Sequence, residues 1–256
     1  INIPKEENIK AYIKVVNLKD QDYLENNFII MCTKKGTIKK TSLEAYSRPR
    51  ANGINAININ EGDQLLEACL TTGTSEIVMA LRSGRAIRFN ESTVRPMGRT
   101  ATGVRGITLA NVIDEVVGMI SVNNPEVTVL VVSEKGYGKR TDIDDYRVTN
   151  RGGKGVKTIN VTEKTGSLVG ILYVKEVEDL IITCKSGITI RTGIVDIREA
   201  GRATQGVKLI RLDEGDEIAA ISQIEEQVVE EVTEEAIAEA GEVAEGLSDS
   251  TNSENA

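Results

Sequence analysis

The 256-residue chain contains no histidine and no tryptophan, and two Phe and six Tyr make up its 3% of aromatics. Histidine is the commonest metal ligand and the usual general base near neutral pH, so its absence removes most metal centres and most acid–base mechanisms. The three cysteines, Cys32, Cys69 and Cys184, stand singly inside apolar runs, with no close Cys pair to hold zinc. They read as reduced, buried thiols of a cytoplasmic protein. No apolar run approaches the roughly eighteen residues that span a bilayer, and no signal-peptide pattern opens the chain. No nucleophile has a base beside it, and Arg151-Gly-Gly-Lys-Gly155 lacks the spacing of a Walker loop. Asp142 and Asp144 have a faint calcium-loop spacing, without the loop glycine or the terminal glutamate. No catalytic residue, metal or cofactor is therefore expected of this chain.

The apolar content (40% hydrophobic residues) is Ile, Val, Leu and Ala, and with 23 Gly it favours many short strands and turns. An internal repeat organises them. Four units open with Phe28-Ile-Ile-Met-Cys, Glu76-Ile-Val-Met-Ala, Thr128-Val-Leu-Val-Val and Asp179-Leu-Ile-Ile-Thr. Each runs into a turn glycine (Gly36, Gly84, Gly136, Gly187) and reaches a second glycine deeper in the unit (Gly53, Gly103, Gly155, Gly206). An apolar strand is expected next, opening with Ile57, Ile107, Ile159 and Ile210, and a last apolar run closes each unit. Four strand-length runs in roughly fifty residues, without helical periodicity, predict an all-β, propeller-like ring of four-stranded blades. A β-solenoid is the alternative, although its repeats are usually shorter. The repeats span about 28–70, 76–122, 128–174 and 179–223. Residues 1–18 align with the end of a unit, as closing strands of an earlier, truncated blade; residues 224–256, with eleven acids and no cation, read as a largely disordered acidic tail with a possible short helix over 228–240.

The formal charge of −8 hides a segregation. The stretches 34–53, 82–105, 135–157 and 185–208 hold 24 of the 31 cations and only seven acids. Lys40, Arg88, Arg140 and Arg191 each follow the turn glycine by four residues; Arg99, Arg151 and Arg202 precede the second glycine by four, and Arg105, Lys157 and Lys208 follow it by two. Equivalent positions in a ring of blades fall on equivalent faces, so the expectation is a cationic belt around one edge. Lys39, Arg48, Arg50, Arg85, Arg95, Lys139, Arg147, Lys154 and Arg198 complete it, and Gly152, Gly153 and Gly155 let the backbone approach a phosphate. A belt suits a large polyanion, duplex DNA first; a solvated, charge-mixed surface is the plainer alternative, and an acidic protein is another possible partner. With so few aromatics a base-stacking platform for single strands is not expected, and contacts to phosphates are sequence-tolerant. Tyr46 and Tyr146, matched between units, read as packing residues.

Three segments carry a resemblance: Arg95-Pro-Met-Gly-Arg-Thr-Ala-Thr-Gly-Val-Arg-Gly-Ile107, Gly136-Tyr-Gly-Lys-Arg-Thr141 and Gly201-Arg-Ala-Thr-Gln-Gly-Val-Lys208. They resemble the C-terminal domain of the bacterial DNA gyrase A subunit, and the likeness covers nearly all of residues 1–223. It implies a β-pinwheel, in which blades exchange a strand with their neighbours, and non-catalytic wrapping of duplex DNA in the service of negative supercoiling. It also implies a cytoplasmic, ATP-hydrolysing type II topoisomerase as the setting, a heterotetramer of gyrase A and gyrase B subunits with no membrane partner. The family's seven-residue box, Gln-Arg-Arg-Gly-Gly-Lys-Gly, has a five-of-seven match in Thr149-Asn-Arg-Gly-Gly-Lys-Gly155. Its place in the third unit makes it resemble a later-blade copy, with the true box expected upstream. The C-terminal domain of the topoisomerase IV ParC subunit, which lacks the box, is the nearest alternative.

Overall fold

Each repeat opens with a hairpin whose turn is set locally. Gly36, Gly84 and Gly136 end three-residue turns and Gly187 is the third residue of a four-residue one, all at φ of 78° to 91°, a backbone region that glycine enters without a Cβ penalty. Each turn glycine donates its N–H to the carbonyl three residues back, at 2.9–3.1 Å. The computed structural model describes residues 8–124 and 127–224; the acidic tail from Glu225 on lies outside the described residues.

The hairpins are β1 (Phe28–Thr33) with β2 (Thr37–Ser42) and β4 (Glu76–Leu81) with β5 (Arg85–Asn90). The later two are β8 (Thr128–Ser133) with β9 (Tyr137–Asp142) and β12 (Asp179–Cys184) with β13 (Thr189–Gly193). A seven-residue inner strand closes each repeat: β3 (Leu65–Thr71), β7 (Val116–Val122), β11 (Leu168–Val174) and β15 (Ile218–Ile224). The remaining strands are two residues long: β6 (Val104–Arg105), β10 (Val156–Lys157) and β14 (Val207–Lys208). The sheet orders are β3-β1-β2-β6, β7-β4-β5-β10, β11-β8-β9-β14 and β15-β12-β13, antiparallel throughout. In each of the first three sheets the outermost strand thus comes from the following repeat. This is the strand exchange of a β-pinwheel, and among the described residues the fold is all-β apart from one short helix and four 3-10 turns.

The exchanged strands correct one expectation. They begin directly after Gly103, Gly155 and Gly206 and end before Ile107, Ile159 and Ile210, which are buried beyond them. The reason is a competing acceptor. The turn-glycine carbonyl takes two N–H groups in succession, Gly106 and Ile107 on Gly36 (2.8 and 3.3 Å) and Thr158 and Ile159 on Gly84 (2.9 and 3.4 Å), so the chain peels off the edge. After Gly53 no strand forms, and a Cβ there would meet nothing within 4 Å, unlike at Gly103, Gly155 and Gly206. Residues 8–18 also differ from expectation, for they form no strand. Ile13, Val15 and Leu18 instead join helix α1 (Gln21–Glu25) in covering Ile29, Met31 and Leu43 of the first blade.

The core lies in the seams between blades. One cluster joins Ile30, Cys32 and Ile38 to Ile77, Met79 and Phe89; a second joins Val78 and Ala80 to Val129, Val131 and Tyr146; a third joins Leu130 and Val132 to Leu180, Ile182 and Ile194. Strands β1, β4 and β8 are buried at five of six positions and so read as continuous apolar runs, whereas β12 alternates, with one covered face. The inner strands lie side by side, β7 against β3 and β11, and β11 against β15. Backbone bonds stitch them across the seams: Val116 to Lys34, Leu168 to Arg82 and Ile218 to Glu134, at 2.8–3.0 Å. The exchanged strands occupy the opposite, outer edges.

Candidate nucleic-acid interface

The cations of the expected belt separate into two classes. Lys39 and Lys139 are fully buried. The Lys39 ammonium donates to the carbonyls of Ala56 (2.6 Å) and Arg99, and that of Lys139 to Gly201. Burial pushes both down to about 8, and Arg99 beside Lys39 and Arg202 beside Lys139 act in the same direction. One residue on, Lys40 and Glu91 form a buried ion pair at 2.8 Å, with Phe28 under the ammonium. Arg88 pairs with Glu76 and donates to Ile143 O (2.7 Å) and Tyr146 O (3.0 Å); Arg140 pairs with Glu176 and donates to Ile197 O.

Lys39, Lys40, Lys139, Arg140 and the largely buried Arg88 are therefore corrections: they fill seams and are not on a surface. Strands β2 and β9 are covered on both faces, by the neighbouring blade and by the incoming arm of the next repeat, so no solvent face remains for them. Arg191 shows the converse. Among the described residues no arm crosses β13, and Arg191 stays 64% exposed, paired with Asp179. The signal for these clips is the hairpin register. It brings the residue eight before the turn glycine and the residue four after it onto one face of the sheet, which pairs Glu76 with Arg88 and Asp179 with Arg191. Lys40 and Arg140, which share their face with Phe28 and Thr128, instead take Glu91 and Glu176 from elsewhere.

The second class is exposed. Arg95, Arg147 and Arg198 lie eight residues before Gly103, Gly155 and Gly206, while Arg105, Lys157 and Lys208 sit on the exchanged strands two residues after them. All six are exposed and none pairs with a carboxylate among the described residues. Arg48, Arg50 and Lys154 share this state. Because the exchanged strands are outermost, these charges lie along the outer edges of successive blades. Arg99, Arg151 and Arg202 are half-buried. Arg151 donates to the carbonyls of Thr93 and Arg105, and Arg202 to that of Lys157, so both hold one arm to the previous one. Arg85 likewise donates to the carbonyls of Lys154 and Gly155. Carboxylate partners are spent at the hairpin turns, where Lys34 and Arg82 share Glu115, Arg82 meets Glu134, and Lys185 meets Glu217. Among the described residues the exposed cations of the outer edge are left without a carboxylate partner.

The box-like segment 149–155 is used mainly as a clamp. Thr149 N–H donates to Arg88 O and Gly152 N–H to Gly106 O. Gly155, at φ 67°, lies against the Ala86 carbonyl too closely for any Cβ. Gly153 and Lys154 face solvent. Tyr146 is a core residue bonded to Thr158, and its hydroxyl is pushed up to about 12 by burial; the half-buried Tyr46 donates to Ala56 O. Among the described residues no group of His, Cys, Asp or Glu could hold a metal ion, and no helix is long and apolar enough to cross a membrane.

Comparison with known proteins gives the same architecture. The family described as DNA gyrase C-terminal domain, beta-propeller, matches residues 27–68, 76–123, 128–175 and 178–225, one match per repeat. The DNA gyrase A subunit of Staphylococcus aureus is 43% identical over 236 residues; these are 92% of this chain and 26% of that protein, so the chain spans about a quarter of the curated relatives it matches. Among solved structures, a DNA gyrase A C-terminal domain superposes with a TM-score of 0.74 at 27% identity, covering 88% of this chain and 73% of that one. The C-terminal domain of a DNA topoisomerase IV superposes at 0.75 with 22% identity, over 84% and 67% of the two chains, a likeness of fold. Strand-exchanged blades, one family match per repeat and identity across nearly the whole length agree: the chain belongs to the DNA gyrase C-terminal domain, beta-propeller, family.

Proposed function

We propose that this chain binds duplex DNA along the outer edges of its blades and bends it there, as a non-catalytic part of a DNA gyrase. The observation that carries the reading is the pair of exposed, carboxylate-free rows, Arg95/Arg147/Arg198 and Arg105/Lys157/Lys208, repeated on three successive exchanged arms. Arg48, Arg50, Gly153 and Lys154 extend them, Gly152 and Gly155 seat the arm that carries them, and the half-buried Arg85, Arg99, Arg151 and Arg202 support them. Contacts of this kind go to phosphates and position the duplex without reading its sequence. A duplex following edges on successive blades bends, at an elastic cost offset by the added contacts. In this reading the domain serves negative supercoiling by a cytoplasmic, ATP-hydrolysing type II topoisomerase, with the rest of gyrase A and with gyrase B as partners.

The test is a salt titration of duplex affinity. Six neutralised phosphates give a slope of log K against log salt near about −5, from about −0.9 per contact. Replacing the two rows with Ala should flatten the slope towards zero, while Ala at the exposed Lys10 and Lys19 should change it little. Equal effects from both sets would mean that net charge alone drives binding.

A further inference from the structure

We propose that the buried Arg140 is a positioning residue for the exposed Arg198 of the following repeat, and that Arg88 does the same for Arg147. The proposal rests on the DNA-binding reading and names what holds the outer cations in place. Arg140 Nε donates to the carbonyl of Ile197 (2.8 Å), the residue directly before Arg198. Its backbone N–H donates to the carbonyl of Arg198 itself (3.1 Å), and its own carbonyl accepts from Ala200 N–H (2.9 Å). Three bonds from one residue thus bracket Arg198, and an isolated parallel bridge joins Arg140 to Glu199. Arg88 repeats the pattern: its guanidinium holds Tyr146 O, directly before Arg147, and its carbonyl accepts from Thr149 N–H (2.8 Å). Only 5% of Arg140 is exposed, so it reaches no phosphate itself.

The guanidinium fork matters because it serves two acceptors at once, the Ile197 carbonyl on one side and Glu176 Oε1 (3.0 Å) on the other. A lysine keeps the charge but loses the fork. In the first repeat the natural lysine, Lys40, works by meeting Glu91 on the next repeat's turn. At the matching place in the fourth repeat stands Ile194, which offers no charge.

A double-mutant cycle on the 256-residue chain tests this, with binding to a duplex of about 30 base pairs followed by anisotropy at about 0.1 M salt. One lost phosphate contact at that salt weakens binding about eightfold, from about 0.9 in the logarithmic slope. Arg198→Ala should do so, and Arg140→Lys should approach the same factor although net charge is unchanged. The double variant should bind no more weakly than Arg198→Ala, because Arg140 acts through Arg198. Unchanged binding by Arg140→Lys, or a double variant weakened by the product of the two factors, overturns the proposal. If Arg198→Ala itself leaves affinity unchanged, the outer-edge reading falls first and this one with it. Should Arg140→Lys fail to fold, Glu176→Gln takes its place: that side chain is 68% exposed, outside the seam. Losing its negative charge alone tightens DNA binding, whereas loosening Arg140 weakens it. Weaker binding supports positioning; equal or tighter binding overturns it.

Discussion

Gly84→Ala and Gly187→Ala change the same position of the same turn, and only the seam between blades separates their expected costs. Both glycines have positive φ, 78° and 91°, so alanine loses a similar amount in each for backbone strain, about 1–2 kcal/mol. At Gly187 a Cβ meets nothing within 4 Å. At Gly84 it would stand 2.8 Å from Ile159 O and 2.7 Å from Val161 Cγ2, both in the following repeat. The Ile159 carbonyl cannot yield without moving the segment that donates Thr158 and Ile159 N–H groups to Gly84 O. Losing those bonds costs about 1 kcal/mol each, and overpacking adds about 1 kcal/mol or more. Gly84→Ala should therefore destabilise by roughly 3–5 kcal/mol against about 1–2 kcal/mol for Gly187→Ala. Urea denaturation followed by circular dichroism measures both. Equal losses would refute the argument, since they would leave φ alone as the cause and no close seat for the next repeat on the turn.

Three further outcomes are expected. Glu91→Ala strands the buried Lys40 ammonium and should cost about 3–5 kcal/mol, whereas Arg191→Ala breaks an exposed pair at the matching position and should cost at most about 1 kcal/mol in the same denaturation assay. Lys39 and Lys139 are held at about 8, below the ordinary 10.5, so the unfolded chain binds more protons between these values. Their penalty is complete below about pH 8 and fades as pH rises towards 10.5. Wild type should accordingly gain stability relative to Lys39→Met/Lys139→Met between about pH 8 and 10; the difference cancels the opposite effect of buried Tyr146 and the buried thiols, and a flat difference refutes the assignment. Removing residues 225–256, which carry eleven acids and no cation, should raise duplex affinity at low salt, because a tethered polyanion competes with DNA at high local concentration. The gain should shrink as the Debye length falls towards about 8 Å, and identical isotherms with and without the tail at low salt would remove the competitor reading.

The sequence alone determined the period, the hairpins and the direction of charge segregation, because each is local. A glycine at positive φ closes a turn whatever surrounds it, and Gly36, Gly84, Gly136 and Gly187 mark four hairpins without reference to their neighbours. The resemblance of 95–107, 136–141 and 201–208 to the gyrase family added the strand exchange that periodicity could not supply. Which cations face solvent was decided by tertiary structure. Arg140 and Arg198 look alike along the chain, yet one is sealed under the next repeat's arm and the other is exposed beyond it. Alternation along a strand tells inside from outside only when one face is open to water, and β2 and β9 have both faces covered. Exchange covers them: a two-residue strand from some seventy residues downstream lies on the edge of each of the first three blades, brings Arg105, Lys157 and Lys208 to the outside and presses Lys39, Lys139 and Arg140 into the seam. On β13, where no arm arrives among the described residues, the equivalent Arg191 remains in solvent. Long-range pairing of this kind is a property of the packed blades, and no single repeat contains the information for it.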